Sequence, residues 1–146
     1  MNIFKTLLVE DNAAFRQSIK EIIQTEFPAI SIEEALDADD AMQKVNAFLP
    51  NLIFMDIKLP GGNGFDLTRR IKTLYPEIKV VILTTYDFPE YREAARACGA
   101  SHFLSKGSST AEEIQDLVEE LCAQWTPSGM RSAWYRNEDG SETNPS

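Results

Sequence analysis

The chain has 146 residues, a net charge of −9 and a sequence pI near 4.6. That length suits one domain, and 43% hydrophobic with 25% charged residues can bury a core without disulfides or a structural metal. The acidity disfavours non-specific nucleic-acid binding, which needs Lys and Arg to neutralise phosphates, and no apolar run reaches membrane-spanning length. Cys98 and Cys122 stand far apart and in no CxxC pair, and residues 1–5 lack a signal-peptide pattern, so the expected location is cytoplasmic with reduced thiols.

Apolar runs and helical stripes alternate along the chain. Residues 4–10 (FKTLLVE) read as a strand ending in acid. Residues 12–27 place Phe15, Ile19, Ile22 and Ile23 at helical spacing. Residues 30–36 alternate as a half-exposed strand should, with Ile30, Ile32, then Ala35 and Leu36. Asp39 is expected to cap a helix carrying Ala41, Met42, Val45 and Leu49. Residues 52–56 (LIFMD) form a second apolar strand ending in acid. A Pro-Gly-Gly-Asn-Gly loop follows, and then a helix over 65–75. Gly61, Gly62 and Gly64 lack the Lys-Ser/Thr of a phosphate loop, so they read as a turn. Residues 79–85 (KVVILTT) are a buried β-branched strand. Pro89 opens the next helix, Gly99 ends it, and residues 101–105 form a short strand. Ser109 with Glu112 forms a capping-box pattern before Ile114, Leu117, Val118 and Leu121.

Five strand–helix units with short connections imply a parallel sheet covered on both faces, an open doubly wound α/β fold. Residues 1–124 make the body. Residues 125–146 are a polar tail, read as a disordered end, a truncated linker or a short arm packing through Trp125 and Trp134.

In such sheets ligands bind outside the carboxyl ends of the strands. The first strand ends in Glu10-Asp11, the third in Asp56, the fourth in Thr84-Thr85 and the fifth in Ser105-Lys106. Clustered carboxylates repel unless a cation joins them, and Mg2+ suits an all-oxygen set with room for phosphate oxygens. An Asp carboxylate can then attack phosphorus, with Lys106 and Thr84 serving the phosphoryl oxygens.

Four separated motifs, LLVEDN, LIFMDIKLPGGNG, VVILTTYD and GASHFLSK, resemble the receiver domain of two-component response regulators. The run Asp-Asn-x-x-Phe-Arg and the Lys-Gly ending resemble in particular the receivers of LuxR-type regulators. The resemblance implies a flavodoxin-like strand order, 2-1-3-4-5. It implies that Asp56 takes a phosphoryl group from a sensor histidine kinase or a phosphotransfer protein. It further implies Mg2+ held by Glu10, Asp11, Asp56 and the backbone carbonyl of Lys58, with Lys106 and Thr84 on the phosphoryl group. Thr84 and Phe103 would then reshape the face of the fourth helix, fifth strand and fifth helix toward a downstream protein. A phosphorylation-dependent homodimer has room in this picture. Membrane contact and direct nucleic-acid binding by this chain do not.

Several positions depart from the commonest family pattern. Lys106 is followed by Gly107 in place of Pro, so the family's cis bond would here cost several kcal/mol, of order 3. Asn63 stands where Asp is usual before Gly64. Lys58 and Tyr86 occupy the positions that tune dephosphorylation, and their cation and bulk predict a longer-lived phosphoryl state. A phosphohydrolase would carry a second Asp two residues after the nucleophile, where this chain has Lys58. The expectation is therefore no separate enzyme, only self-catalysed phosphorylation and dephosphorylation. The lone His102 reads as a surface residue. The alternative function is the receiver part of a DNA-binding transcriptional regulator whose helix-turn-helix domain is absent from this chain.

Overall fold

The computed structural model describes residues 3–85 and 87–125. The elements run β1 (Lys5–Val9), α1 (Ala13–Glu26), β2 (Ser31–Ala35), α2 (Ala38–Phe48), β3 (Leu52–Asp56), β4 (Lys58–Leu59), β5 (Gly62–Asn63), α3 (Gly64–Leu74), β6 (Lys79–Thr84), α4 (Pro89–Ala97), β7 (His102–Ser105) and α5 (Ala111–Trp125). Five strands form one parallel sheet in the order β2-β1-β3-β6-β7. Counting only those strands, this is the expected order 2-1-3-4-5.

The central strand β3 is buried at every residue, which explains its unbroken apolar run. Alternate strand residues feed two cores. Leu8, Leu52, Phe54, Val81 and Leu83 face α1 and α5, with Ile19, Ile23, Val118 and Leu121. Leu7, Val9, Ile53, Met55, Val80 and Ile82 face the other way, toward Val45 of α2, Ile71 of α3 and Ala95 of α4. Burial pushes the Cys122 thiol up to about 12, reinforced by the Glu119 charge, and also raises Cys98, so both thiols stay protonated.

The structure corrects several local expectations. Asp37, not Asp39, caps α2: its side chain accepts the Asp40 N–H at 2.7 Å. Asp39 and Asp40 instead sit in the first turn, where acids complement the helix dipole. Leu49 is not on the buried stripe of α2; it is the left-handed C-cap at φ 50° and is half exposed. Leu36 lies beyond β2 and is exposed. The capping box of α5 is Thr110 with Glu113, one residue after the predicted pair: Glu113 N–H donates to Thr110 Oγ1 at 3.1 Å, and Thr110 N–H to Glu113 Oε1 at 3.3 Å. Ser109 is used elsewhere, its N–H donating to the Ser105 carbonyl.

The glycine-rich loop also holds structure that the sequence did not suggest. β4 and β5 pair antiparallel, Lys58 with Asn63, around a turn in which Gly61 has φ +76°. The last helix runs through Trp125, whose ring meets Phe4 edge-on with centroids 5.2 Å apart. Trp134 and the rest of residues 126–146 lie outside the described residues. Among the described residues no helix is long and apolar enough to cross a membrane.

Candidate functional site

The parallel sheet delivers the candidate side chains to one edge. Glu10 and Asp11 follow β1, Asp56 is the last residue of β3, Thr84 the last of β6, and Lys106 follows β7. Glu10, Asp11 and Asp56 bring carboxylate oxygens within 4.8 Å of one another. Glu10 and Asp56 are buried, at 3% and 8% exposure, while Asp11 is exposed. The Lys106 Nζ lies 2.5 Å from Glu10 Oε1 and 3.4 Å from Asp56 Oδ2, an ammonium set between two buried acids.

Each acid is held by backbone. Glu10 Oε2 accepts the Asn12 N–H at 3.0 Å, and Asp56 Oδ1 accepts the Ile57 N–H at 2.8 Å. Burial and then the neighbouring Glu10 charge raise the Asp56 carboxyl to about 6, against the opposing pull of Lys106 and the Ile57 N–H. Glu10 Oε1 is buried and has Lys106 in ion-pair range but no aligned hydrogen bond. A buried carboxylate oxygen without a directed donor, beside two further carboxylates, fits a hard oxygen-seeking cation such as Mg2+.

Two loop features keep the edge tight. A Cβ on Gly64 would lie 2.1 Å from the Asp56 carbonyl oxygen, so only glycine lets α3 start this close to β3. The Gly64 N–H donates to the Ile57 carbonyl at 2.7 Å. Asn63 does the capping an Asp would do: its Oδ1 accepts the Phe65 and Asp66 N–H groups at 2.7 and 3.3 Å.

Thr84 is buried, and its carbonyl accepts the Lys106 N–H at 2.8 Å, which ties the fourth and fifth strand ends of the sheet together. The Lys106–Gly107 peptide is trans, as are all bonds among the described residues. Lys58 is exposed at the start of β4, and Tyr86 lies outside the described residues. Phe103 is the second residue of β7, half-buried, with the Arg92 guanidinium 4.7 Å from its ring centroid. Arg92 also pairs with Asp87 at 2.7 Å. His102 is half-buried, with Nε2 3.5 Å from Glu120 and away from the acidic cluster.

Three residues of the site escaped sequence reasoning as site residues. Asn12 caps α1 and anchors Glu10. The Arg16 Nη1 donates to the Glu10 carbonyl at 2.8 Å while its Nε pairs with Glu34 at 2.6 Å. The Phe15 ring centroid lies 4.8 Å from Lys106 Nζ. A cap-forming Asn directly after the acidic pair was a readable signal for the first. Nothing in the spacing of Phe15 or Arg16 separates them from ordinary helix residues.

The edge of a doubly wound sheet thus gathers three carboxylates and a lysine ammonium in one place. The chain matches the response regulator receiver domain over residues 6–119 and belongs to that family. It is 30% identical over 105 residues to the transcriptional regulatory protein DegU of Brevibacillus brevis, covering 72% of this chain and 44% of that one. It is 29% identical over 116 residues to the DNA-binding transcriptional activator DevR/DosR of Mycobacterium tuberculosis, covering 77% and 54%. Its fold matches a CheY-like receiver domain protein from Methanospirillum hungatei at TM-score 0.75 and 26% identity, over 84% of this chain and 97% of that one. A LuxR-family response regulator from Aurantimonas matches at TM-score 0.76 and 27% identity, over 84% and 87%. The chain spans about half the length of the curated relatives it matches. Phosphorylation-dependent signalling between histidine kinases and downstream effectors is the function of this family, and the cluster of Glu10, Asp11 and Asp56 resembles the receiver Mg2+ site.

Proposed function

We propose that Asp56 is the phosphoacceptor of this receiver and that its modification switches a protein-binding face. The observation that carries the reading is the Lys106 ammonium lodged 2.5 and 3.4 Å from Glu10 and Asp56, with three carboxylates gathered within 4.8 Å. In the proposed step the Asp56 carboxylate attacks phosphorus of a phosphohistidine on a kinase or phosphotransfer protein. A P–O bond forms, the P–N bond breaks, and the imidazole leaves with the electron pair and takes a proton from water. Glu10, Asp11, Asp56 and the Lys58 carbonyl would hold Mg2+, which when bound supplies positive charge for the phosphoryl oxygens. Lys106 adds its own charge there, and Thr84 a hydroxyl. The protein catalyses this on itself and, in this reading, turns over no separate substrate.

Thr84 and Phe103 are the proposed relay to the α4–β7–α5 face. Its support is that the Thr84 carbonyl is bonded to the Lys106 N–H and that Phe103 sits two residues before the end of β7. Lys58 and Tyr86 are the proposed brakes on dephosphorylation. We assign residues 1–124 with Trp125 to the receiver and place its work in the cytoplasm, where two free buried thiols stay reduced.

A second reading is favoured by the names of the relatives. DegU is a transcriptional regulatory protein and DevR/DosR a DNA-binding activator, and this chain spans about half of each. The receiver would then govern a helix-turn-helix partner domain encoded beyond Ser146, which the parent reading frame decides.

Intact-mass measurement with Mg2+ and acetyl phosphate tests the core of the proposal. One added phosphoryl group is expected on the wild type and none on Asp56→Asn. An unmodified wild type, with a competent donor kinase also supplied, would sink it.

A further inference from the structure

We infer that Phe15 is a positioning residue for Lys106, its ring holding the ammonium at the Asp56 carboxylate for phosphoryl transfer; the inference rests on the Asp56 assignment above. Lysine ends in a compact point charge on a flexible stem, so its placement must come from its surroundings. Around Lys106 those surroundings form a closed circuit. Glu10 Oε2 accepts the Asn12 N–H at 3.0 Å, and Asn12 Oδ1 accepts the Phe15 N–H at 2.9 Å. The Phe15 ring centroid lies 4.8 Å from Lys106 Nζ, and that nitrogen returns to Glu10 Oε1 at 2.5 Å. The start of α1 is thereby fixed to the metal-facing acid on one side and to the lysine on the other.

The ring is itself held in place, because Phe15 packs against the core between α1, the sheet and α5. An aromatic face attracts a cation through its quadrupole, and the attraction grows where water is excluded. The Lys106 side chain is only 13% exposed. An ammonium has three N–H donors. With the ring on one side, Glu10 Oε1 and Asp56 Oδ2 stand in ion-pair range at 2.5 and 3.4 Å, so a phosphoryl group on Asp56 would meet the same ammonium. A Leu at position 15 would keep the apolar packing and lose the quadrupole, leaving the stem of Lys106 to sample other rotamers.

The test is the rate of Asp56 phosphorylation by acetyl phosphate with Mg2+, followed by intact mass. It is run on wild type, Phe15→Leu, Phe15→Tyr, and full-length protein carrying mono-, di- and trifluorinated phenylalanine at position 15. Fluorine withdraws charge from the ring face while barely changing its size, so a merely structural Phe15 would not respond to the series. A desolvated cation–π contact supports a slowing of about tenfold in Phe15→Leu, with Phe15→Tyr within about twofold of wild type. The logarithm of the rate should also fall stepwise with each fluorine. A flat fluorination series overturns the inference even where Phe15→Leu is slow through loss of folding. Equal rates in Phe15→Leu and wild type overturn it as well. A wild type that stays unmodified with a competent donor kinase also supplied instead overturns the Asp56 assignment, and the inference with it.

Discussion

The Asp56 carboxylate is costly to ionise where it sits. Burial, then the charge of Glu10, raises it from 3.8 to about 6, so the folded state holds its proton to higher pH than the unfolded chain does. The sign follows. As pH rises through the interval between the two values, the metal-free protein loses stability on account of this group, and above pH 6 the whole cost is present. Asp56→Asn removes that cost. Urea unfolding of metal-free protein should therefore find the variant more stable by about 3 kcal/mol at pH 7.5, with the gain lost as pH falls below the unfolded carboxylate range. Saturating Mg2+ should narrow the difference by stabilising the wild type more. A difference that does not change with pH would contradict the electrostatic account. The acids themselves were legible in the sequence because each closes an apolar run. The chemistry of Phe15 and Arg16 was not, since their partners Lys106 and Glu34 are distant in sequence and only the fold brings them near.

Helices begin where a cap and its first-turn N–H groups meet, and this is where sequence reading slipped by a residue or two. Asp37, Asp39 and Asp40 are all acceptable caps, and the sheet decides between them. β2 ends at Ala35, and Asp37 retains the extended backbone a cap requires, at φ −150° and ψ 177°. Likewise Ser109-x-x-Glu112 and Thr110-x-x-Glu113 are equivalent patterns, but the Ser109 N–H is already spent on the Ser105 carbonyl. Two alanine substitutions separate the registers. Asp37→Ala should cost about 1 kcal/mol of unfolding free energy, and Asp39→Ala no more than a few tenths. A loss no larger for Asp37→Ala than for Asp39→Ala in urea titrations would contradict this register. The β4–β5 hairpin was invisible for another reason: two-residue strands are too short to show a period.

At the scale of the whole molecule, the fold was legible because its inner strands β1, β3 and β6 carry apolar runs, as a parallel sheet covered on both faces requires. Two cores, one toward α1 and α5 and one toward α2, α3 and α4, keep the sheet rigid while its carboxyl edge carries polar and charged groups. That edge gathers residues from positions 10 to 106 of the chain into one site, and the family match over residues 6–119 spans the same stretch. What the molecule does after phosphorylation was not written in these residues, since a protein-binding face has no residue pattern comparable to a metal-binding acid cluster. Locating the phosphoryl group on a single side chain is the most direct measurement. Borohydride cleaves an aspartyl phosphate, releasing phosphate and reducing the carboxyl carbon to an alcohol that peptide mass spectrometry can place. After treatment with Mg2+ and acetyl phosphate, the reduced side chain should appear at position 56 alone. Reduction at Glu10 or Asp11, or at any other acid in place of Asp56, would contradict the account.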